Sequence, residues 1–181
     1  FLDYDNDGWL DLYVGLGKWD PGPQMPNALL HNRHDGGFDI LADLAGAGDP
    51  RFSLSVAIAD FDVDGWLDIS IANSGERYAL FHSDGGAGPR NHFLEVRLRA
   101  EVPGVNREGI GARVVVLDDQ GGSQVRELIA GTSLGAGSST IAHFGLGTAV
   151  PEALHVIWPD GHVQQLADPP VDVVLDLACG P

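Results

Sequence analysis

The stretch Asp3-Tyr-Asp5-Asn-Asp7-Gly8-Trp9-Leu-Asp11 returns 57 residues later as Asp60-Phe-Asp62-Val-Asp64-Gly65-Trp66-Leu-Asp68. Four carboxylates within nine residues repel one another unless a cation sits among them, so the chemistry this spacing supports is the holding of a divalent ion by oxygen. Positions one, three and five turn alternate side chains toward one centre. The glycine at position six permits a sharp reversal, position seven offers a backbone carbonyl, and position nine closes the cage with a fourth carboxylate. The spacing thus predicts one site of Asp3, Asp5, Asp7, Trp9 and Asp11 and a second of Asp60, Asp62, Asp64, Trp66 and Asp68. Calcium suits both, since it takes about six to eight oxygens in irregular geometry, whereas magnesium demands a tighter octahedron and keeps its waters. Softer metals favour His or Cys, which neither nonapeptide contains. Asp, Asn and Gly are ordinary turn residues too. Four carboxylates at matched positions, twice over and with the same Gly-Trp-Leu, set these loops apart from common turns.

The elements that carry the loops are strands. An EF-hand would place Glu at position twelve between two helices. Position twelve here is Val14 or Ile71, and Leu12-Tyr-Val14 and Ile69-Ser-Ile71 show β-type residues without helical period. The repetition runs on: Ala28-Leu-Leu-His31-Asn32 with Asp35-Gly-Gly37 is echoed by Ala79-Leu-Phe-His82-Ser83 with Asp84-Gly-Gly86, now 51 residues apart because unit one carries the extra Lys18–Pro23 segment. Short strands recurring at a period near fifty predict β-propeller blades. The first blade lacks the strand that Ser53–Ala59 supplies to the second, and two blades cannot close a propeller, so either further blades lie upstream or strand edges are left uncovered; the chain opens on Phe1, as a piece of something longer would.

Ser83 to Asn91 is a Gly-rich boundary, after which the pattern changes. His92–Arg99 alternates Leu94, Val96 and Leu98 with Glu95, Arg97 and Arg99, a half-buried strand. Further strands are expected over 112–117, 124–129, 140–144, 153–157, 162–166 and 171–177, with hairpin turns at Asp119-Gln-Gly-Gly and Trp158-Pro-Asp-Gly161. The expected fold is all-β: two blade repeats over 1–89, the first truncated, then an antiparallel β-sandwich or barrel over 90–181.

Composition narrows the function. The net charge is −16, made of −11 over residues 1–89 and −5 over residues 90–181, which argues against nucleic-acid binding. No apolar run reaches membrane-span length. Cys179 is a single cysteine, so no internal disulfide forms and stability must come from packing and metal. Calcium sites of modest affinity suit an extracellular, periplasmic or cell-surface setting.

The first half resembles the FG-GAP/VCBS repeat, the calcium-bearing blade unit also found in integrin α-chain propellers. The residues that carry this are the two Asp-rich loops, Val56-Ala-Ile-Ala-Asp60-Phe, and the Leu-His-Asn and Asp-Gly-Gly turns. The second half resembles the ASPIC/UnbV domain through Asn91-His-Phe-Leu-Glu-Val-Arg-Leu, Asn106-Arg-Glu-Gly-Ile-Gly-Ala-Arg-Val114, Gln124-Val-Arg-Glu127, His143-Phe-Gly-Leu-Gly147 and Val156-Ile-Trp-Pro-Asp-Gly161 with Gln164-Gln-Leu. Repeats followed by this module are typical of the cartilage-acidic-protein family. The resemblance implies a secreted or surface-exposed, calcium-binding, non-catalytic protein, and it brings no well-defined biochemical activity for the second domain, whose role it leaves open.

Other patterns carry less. Gly131-Thr-Ser133-Leu-Gly135 matches the hydrolase elbow Gly-x-Ser-x-Gly, but that motif needs a strand, a sharp turn and a helix, and a helix-averse Ala-Gly-Ser-Ser-Thr follows. Its possible partners Asp160 and His162 share one expected turn. His31-x-x-His34 lacks a third zinc ligand nearby, and His82 occupies the position of His31, which marks both as repeat residues. His143 reads as a structural histidine, and Trp9 and Trp66 as wedges between blades. The expected protein is a calcium-stabilised scaffold whose β-sandwich meets a protein or glycan partner. The alternative is an accessory binding module of a larger secreted enzyme.

Overall fold

The computed structural model describes residues 1–16, 25–41, 46–85 and 90–179. The extra segment Lys18–Pro23 lies outside them, as do residues 86–89 of the Gly-rich boundary. Among the described residues every element is a strand and none is a helix. The chain divides into two units. Unit one comprises Phe1–Tyr4, Trp9–Gly86 and Gly131–Ser138, and unit two comprises Asp5–Gly8, Ala87–Ala130 and Ser139–Pro181.

Unit one holds two three-stranded antiparallel sheets in sequential order. The first is β1 (Leu12–Val14), β2 (Ala28–Asn32) and β3 (Phe38–Ile40); the second is β4 (Ser53–Ala59), β5 (Asp68–Asn73) and β6 (Ala79–Phe81). Each loop joins an entering chain to its sheet at the same place. Ala59 pairs with Asp68 across loop two, and Leu2 pairs with Asp11 across loop one as an isolated bridge. One apolar cluster, Leu2, Tyr13, Leu29, Ala47, Ile69 and Ile71, forms the core. Beside it runs a buried polar chain. Tyr13 Oη donates to Ala47 O at 2.7 Å; Asn27 Nδ2 donates to Tyr13 Oη at 3.1 Å and to Ser53 Oγ at 2.9 Å; Ser53 Oγ donates to Asn73 Oδ1 at 3.1 Å; and Asn73 Nδ2 donates to Asp49 at 3.0 Å. Arg51 caps this chain with two bonds of 2.7 Å to Asp49. Burial pushes the Tyr13 phenol up to about 12, so it stays a neutral donor.

Unit two is a sandwich. Its sheets are β10 (Ala142–Gly147), β7 (His92–Ala100), β13 (Val173–Cys179) and, separately, β12 (Val163–Ala167), β11 (Pro151–Ile157), β8 (Arg113–Asp118), β9 (Ser123–Glu127), each in that spatial order. The alternation expected of β7 holds, with Leu94, Val96 and Leu98 inward. They meet Phe144 and Leu146 of β10, Val114 and Val116 of β8, Leu154 and Val156 of β11, and Trp158, which is 1% exposed. The turns at 119–122 and 158–161 close the β8–β9 and β11–β12 hairpins, with Gly121 and Gly161 at φ +81° and +89°. One pairing departs from the antiparallel expectation: β13 lies parallel to β7, Val173 beside Leu94 through Cys179 beside Ala100. Hairpin turns make neighbours in sequence antiparallel, but β13 reaches β7 from the far end of the unit and is free to take either direction.

Candidate metal centre

Backbone geometry repeats between the two acidic loops. Position four is left-handed in both, Asn6 at φ 56° and Val63 at φ 63°, and position six is a left-handed glycine, Gly8 at φ 94° and Gly65 at φ 90°. Glycine adopts this conformation freely and Asn tolerates it, but a β-branched residue there is strained.

The position-nine carboxylates are buried and pinned identically. Asp11 accepts the Tyr4 N–H at 3.1 Å and the Asn32 N–H at 2.8 Å, one on each oxygen. Asp68, 1% exposed, accepts the Phe61 N–H at 2.9 Å and the Ser83 N–H at 2.8 Å, again one on each. Tyr4 and Phe61 are both position two, and Asn32 ends and Ser83 lies just past the second strand after its loop, β2 or β6, so the repeat found in the letters recurs in these bonds. In loop two Asp60 gathers the N–H groups of Val63, Asp64 and Gly65 at 2.8, 3.2 and 2.8 Å, curling the chain around its carboxylate.

The remaining carboxylates converge. Ligand oxygens of Asp3, Asp5 and Asp7 lie within 4.8 Å of one another, as do those of Asp60, Asp62 and Asp68. Asp64 joins Asp62 and the His82 ring nitrogen within the same distance. Loss of solvent raises the Asp64 carboxyl above its ordinary range, and the charges of Asp62, Asp60 and Asp68 add to this against one N–H bond from Trp66. Asp62 is held below the carboxylate range chiefly by its 2.8 Å hydrogen bond to His82 Nε2, and His82 is raised in turn by the same bond. A carboxylate set with one imidazole at its rim fits a hard divalent ion: its carboxylate donors are oxygen, each position-nine oxygen keeps a lone pair beside its one N–H bond, and the strain among the charges is of the kind a cation removes.

The histidines differ from expectation. His31 and His82, read from the sequence as plain repeat residues, both stand at the acidic loops, His31 Nδ1 3.3 Å from Asp11 and His82 on Asp62. Their shared offset of 51 was the signal, since it ties them to the strand end whose N–H binds position nine. The rings of His31 and His34 lie 6.4 Å apart, but His34 stacks on Trp9 at 4.7 Å while His31 stands edge-on to Tyr4 at 5.8 Å. The two tryptophans also part company. Trp66 is buried and packs on Gly85, whereas Trp9 is 49% exposed and stacks on His34. The reason is local: a Cβ at position 85 would overlap the Trp66 ring, and only glycine leaves that slot open.

The other patterns resolve plainly. Ser133 Oγ accepts the Val56 N–H at 3.2 Å, inside a turn rather than a strand–elbow–helix. Asp160 and His162 do share a turn, the His162 N–H donating to Asp160 at 3.0 Å. His143 is buried in β10, its ring parallel to Phe93 at 6.3 Å.

Comparison with known proteins agrees with this architecture. The FG-GAP-like repeat family matches residues 3–88, and the ASPIC and UnbV family matches residues 102–180. Cartilage acidic protein 1 of Xenopus tropicalis is 30% identical over 97% of this chain and 28% of its own length. The Mus musculus and Homo sapiens proteins of the same name are 32% and 35% identical over 66% and 58% of this chain, and 19% and 15% of their own lengths. The chain therefore spans less than a third of these relatives. FG-GAP-like repeats imply a propeller-type β fold, and the open sheets of unit one are blades of that type. With strand order, loop geometry and both matches in agreement, the chain belongs to the family of proteins that join FG-GAP-like repeats to an ASPIC/UnbV domain.

Proposed function

We propose that this chain is a non-catalytic binding protein of the extracellular, periplasmic or cell-surface space whose repeats are stabilised by calcium. One ion sits in each loop, held by Asp3, Asp5, Asp7, Asp11 and the Trp9 carbonyl, or by Asp60, Asp62, Asp64, Asp68 and the Trp66 carbonyl. The observation that carries this reading is the twofold recurrence of one geometry, in which backbone N–H groups pin the position-nine carboxylate while the other acids of the loop crowd together. Pinning orients the cage before the ion arrives, which lowers the cost of binding. The ion binds the folded loop far better than the unfolded chain, so it adds stability by mass action, about 2.7 kcal/mol at a hundredfold excess over Kd.

The compartment follows from the sites. Calcium is abundant outside the cytoplasm, where sites of modest affinity fill. No helix of the described residues is long and apolar enough to cross a membrane. The curated relatives are named as acidic proteins, and this chain shares that character at net −16. The sandwich of unit two presents a surface to a protein or glycan partner.

Thermal unfolding in calcium and in chelator tests the reading. The melting temperature is expected to rise with calcium, and equal values in the two conditions would overturn it. Asp64→Asn sharpens the test because its sign reverses. With calcium present it weakens the site and lowers the melting temperature; in chelator it removes the cost of burying the Asp64 charge, with the smaller repulsion from Asp62, Asp60 and Asp68, so stability is unchanged or higher.

A further inference from the structure

Neither acidic nonapeptide contains an imidazole, yet the fold delivers one to the second of them. His82 directly follows β6, whose Phe81 pairs with Ile69 of β5, the strand that leaves the loop. On its other side the Ser83 N–H donates to Asp68 at 2.8 Å. Residue 82 is thus fixed beside the loop through both of its neighbours. Its ring meets the acids: Nε2 stands 2.8 Å from Asp62 Oδ2, and ligand atoms of Asp62, Asp64 and His82 all lie within 4.8 Å of one another. The first repeat brings an imidazole to its acids from the matching position, with His31 Nδ1 3.3 Å from Asp11 Oδ1. There both oxygens of the acid already hold N–H groups, from Tyr4 and Asn32. In loop two the ring meets the third- and fifth-position acids instead, while Asp68 keeps its own pair of N–H bonds.

Donor type decides what such a trio binds. Calcium and magnesium take oxygen and have little use for an imidazole, whereas zinc and its transition-metal neighbours take imidazole nitrogen readily beside carboxylate. Zinc binds either donor at about 2.0–2.2 Å, which in a tetrahedron sets the donor atoms about 3.4 Å apart. The trio is already close to that spacing, and the side chains of His82 and Asp62 are 53% and 50% exposed, so both can turn without disturbing the core. Three protein donors with a fourth position open to solvent is the count of an accessible zinc site.

We propose that Asp62, Asp64 and His82 form a mixed nitrogen–oxygen site for a transition divalent ion of the zinc type, which competes with calcium for the two carboxylates. The site shares those acids with the calcium reading but does not depend on it, since the trio needs no second ion. The test titrates zinc alone and calcium alone into the full, metal-stripped chain. His82→Gln keeps a donor for Asp62 and removes the imidazole. It is expected to lower zinc affinity by about tenfold or more, the least that losing even an outer partner of a metal costs, and to leave calcium affinity within about twofold. Unchanged zinc affinity would overturn the site, and an equal loss for both ions would reduce His82 to a prop for Asp62 and overturn it as well. His162→Gln, exposed in the β11–β12 turn, should bind zinc as the parent does; a matching loss there would show capture by scattered surface histidines. Saturating zinc should release calcium from loop two, and zinc bound with all calcium retained would overturn the competition. A chain that takes zinc through His82 but takes no calcium would end the calcium reading and leave this one in place. Should His82→Gln fail to fold, the ring nitrogen resonances of His82 in the parent decide: Nε2 should take the shift of a metal-bound nitrogen with zinc and not with calcium, and a ring that responds alike to both overturns the site.

Discussion

Val63 occupies the loop position that Asn6 fills in the first repeat, with φ 63° against 56°. For a β-branched side chain this left-handed conformation costs about 1–2 kcal/mol, which Asn largely escapes. Val63→Asn is therefore expected to stabilise the protein by about 1 kcal/mol in urea denaturation with calcium present; a loss of stability would show that the Val63 side chain, 63% exposed, contributes more than its strain removes. The letters disclosed the acids at this scale because their spacing is a property of the chain. They did not disclose the strain at Val63, since a variable position in the motif carries no mark of its φ. Nor did they show that Trp9 and Trp66, identical by position, would end exposed and buried, because that depends on Gly85 and His34, which lie beyond the loops.

At the scale of elements, the strands and hairpins of unit two were legible because each alternates cleanly against one core. The parallel course of β13 was not, since it rests on a pairing between distant strands and no local signal sets its direction. The buried polar chain in unit one was equally hidden: Asn27, Asp49, Ser53 and Asn73 belong to no motif of the sequence, and only packing brings them together. Asp49 is held below its ordinary 3.8 chiefly by its hydrogen bonds to the Arg51 side chain. A carboxyl lowered on folding contributes stability that is fully present above pH 3.8 and is lost as pH falls through the folded value. Asp49→Asn is expected to cost about 2 kcal/mol at pH 7. The difference from the parent should shrink as acid titrates the parent below pH 3.8; a constant difference down to pH 2 would remove Asp49 from the acid transition.

For the molecule as a whole, the charge is the governing quantity. At net −16, with eight of the 26 acids set in two nonapeptides, the chain without metal folds against its own repulsion. Salt screens such repulsion, with a Debye length falling from about 30 Å at 0.01 M to about 3 Å at 1 M. In chelator, raising sodium chloride across that range should lift the first melting transition by roughly 4–8 °C, the equivalent of about 1 kcal/mol in a domain the size of unit one alone. With calcium bound the same salt should do much less. A transition in chelator that ignores salt would mean that crowding of charge is not what the ion relieves. The parallel seam between β7 and β13 adds a consequence in time. Partners such as Arg97 and Asp176 stand 79 residues apart, so during synthesis at about 5–20 residues per second the strand that opens the sandwich waits roughly 4–16 s for its neighbour to be made. Through that interval Leu94, Val96 and Leu98 lack half of their sheet, and a nascent chain in that state is a natural client for a holding chaperone.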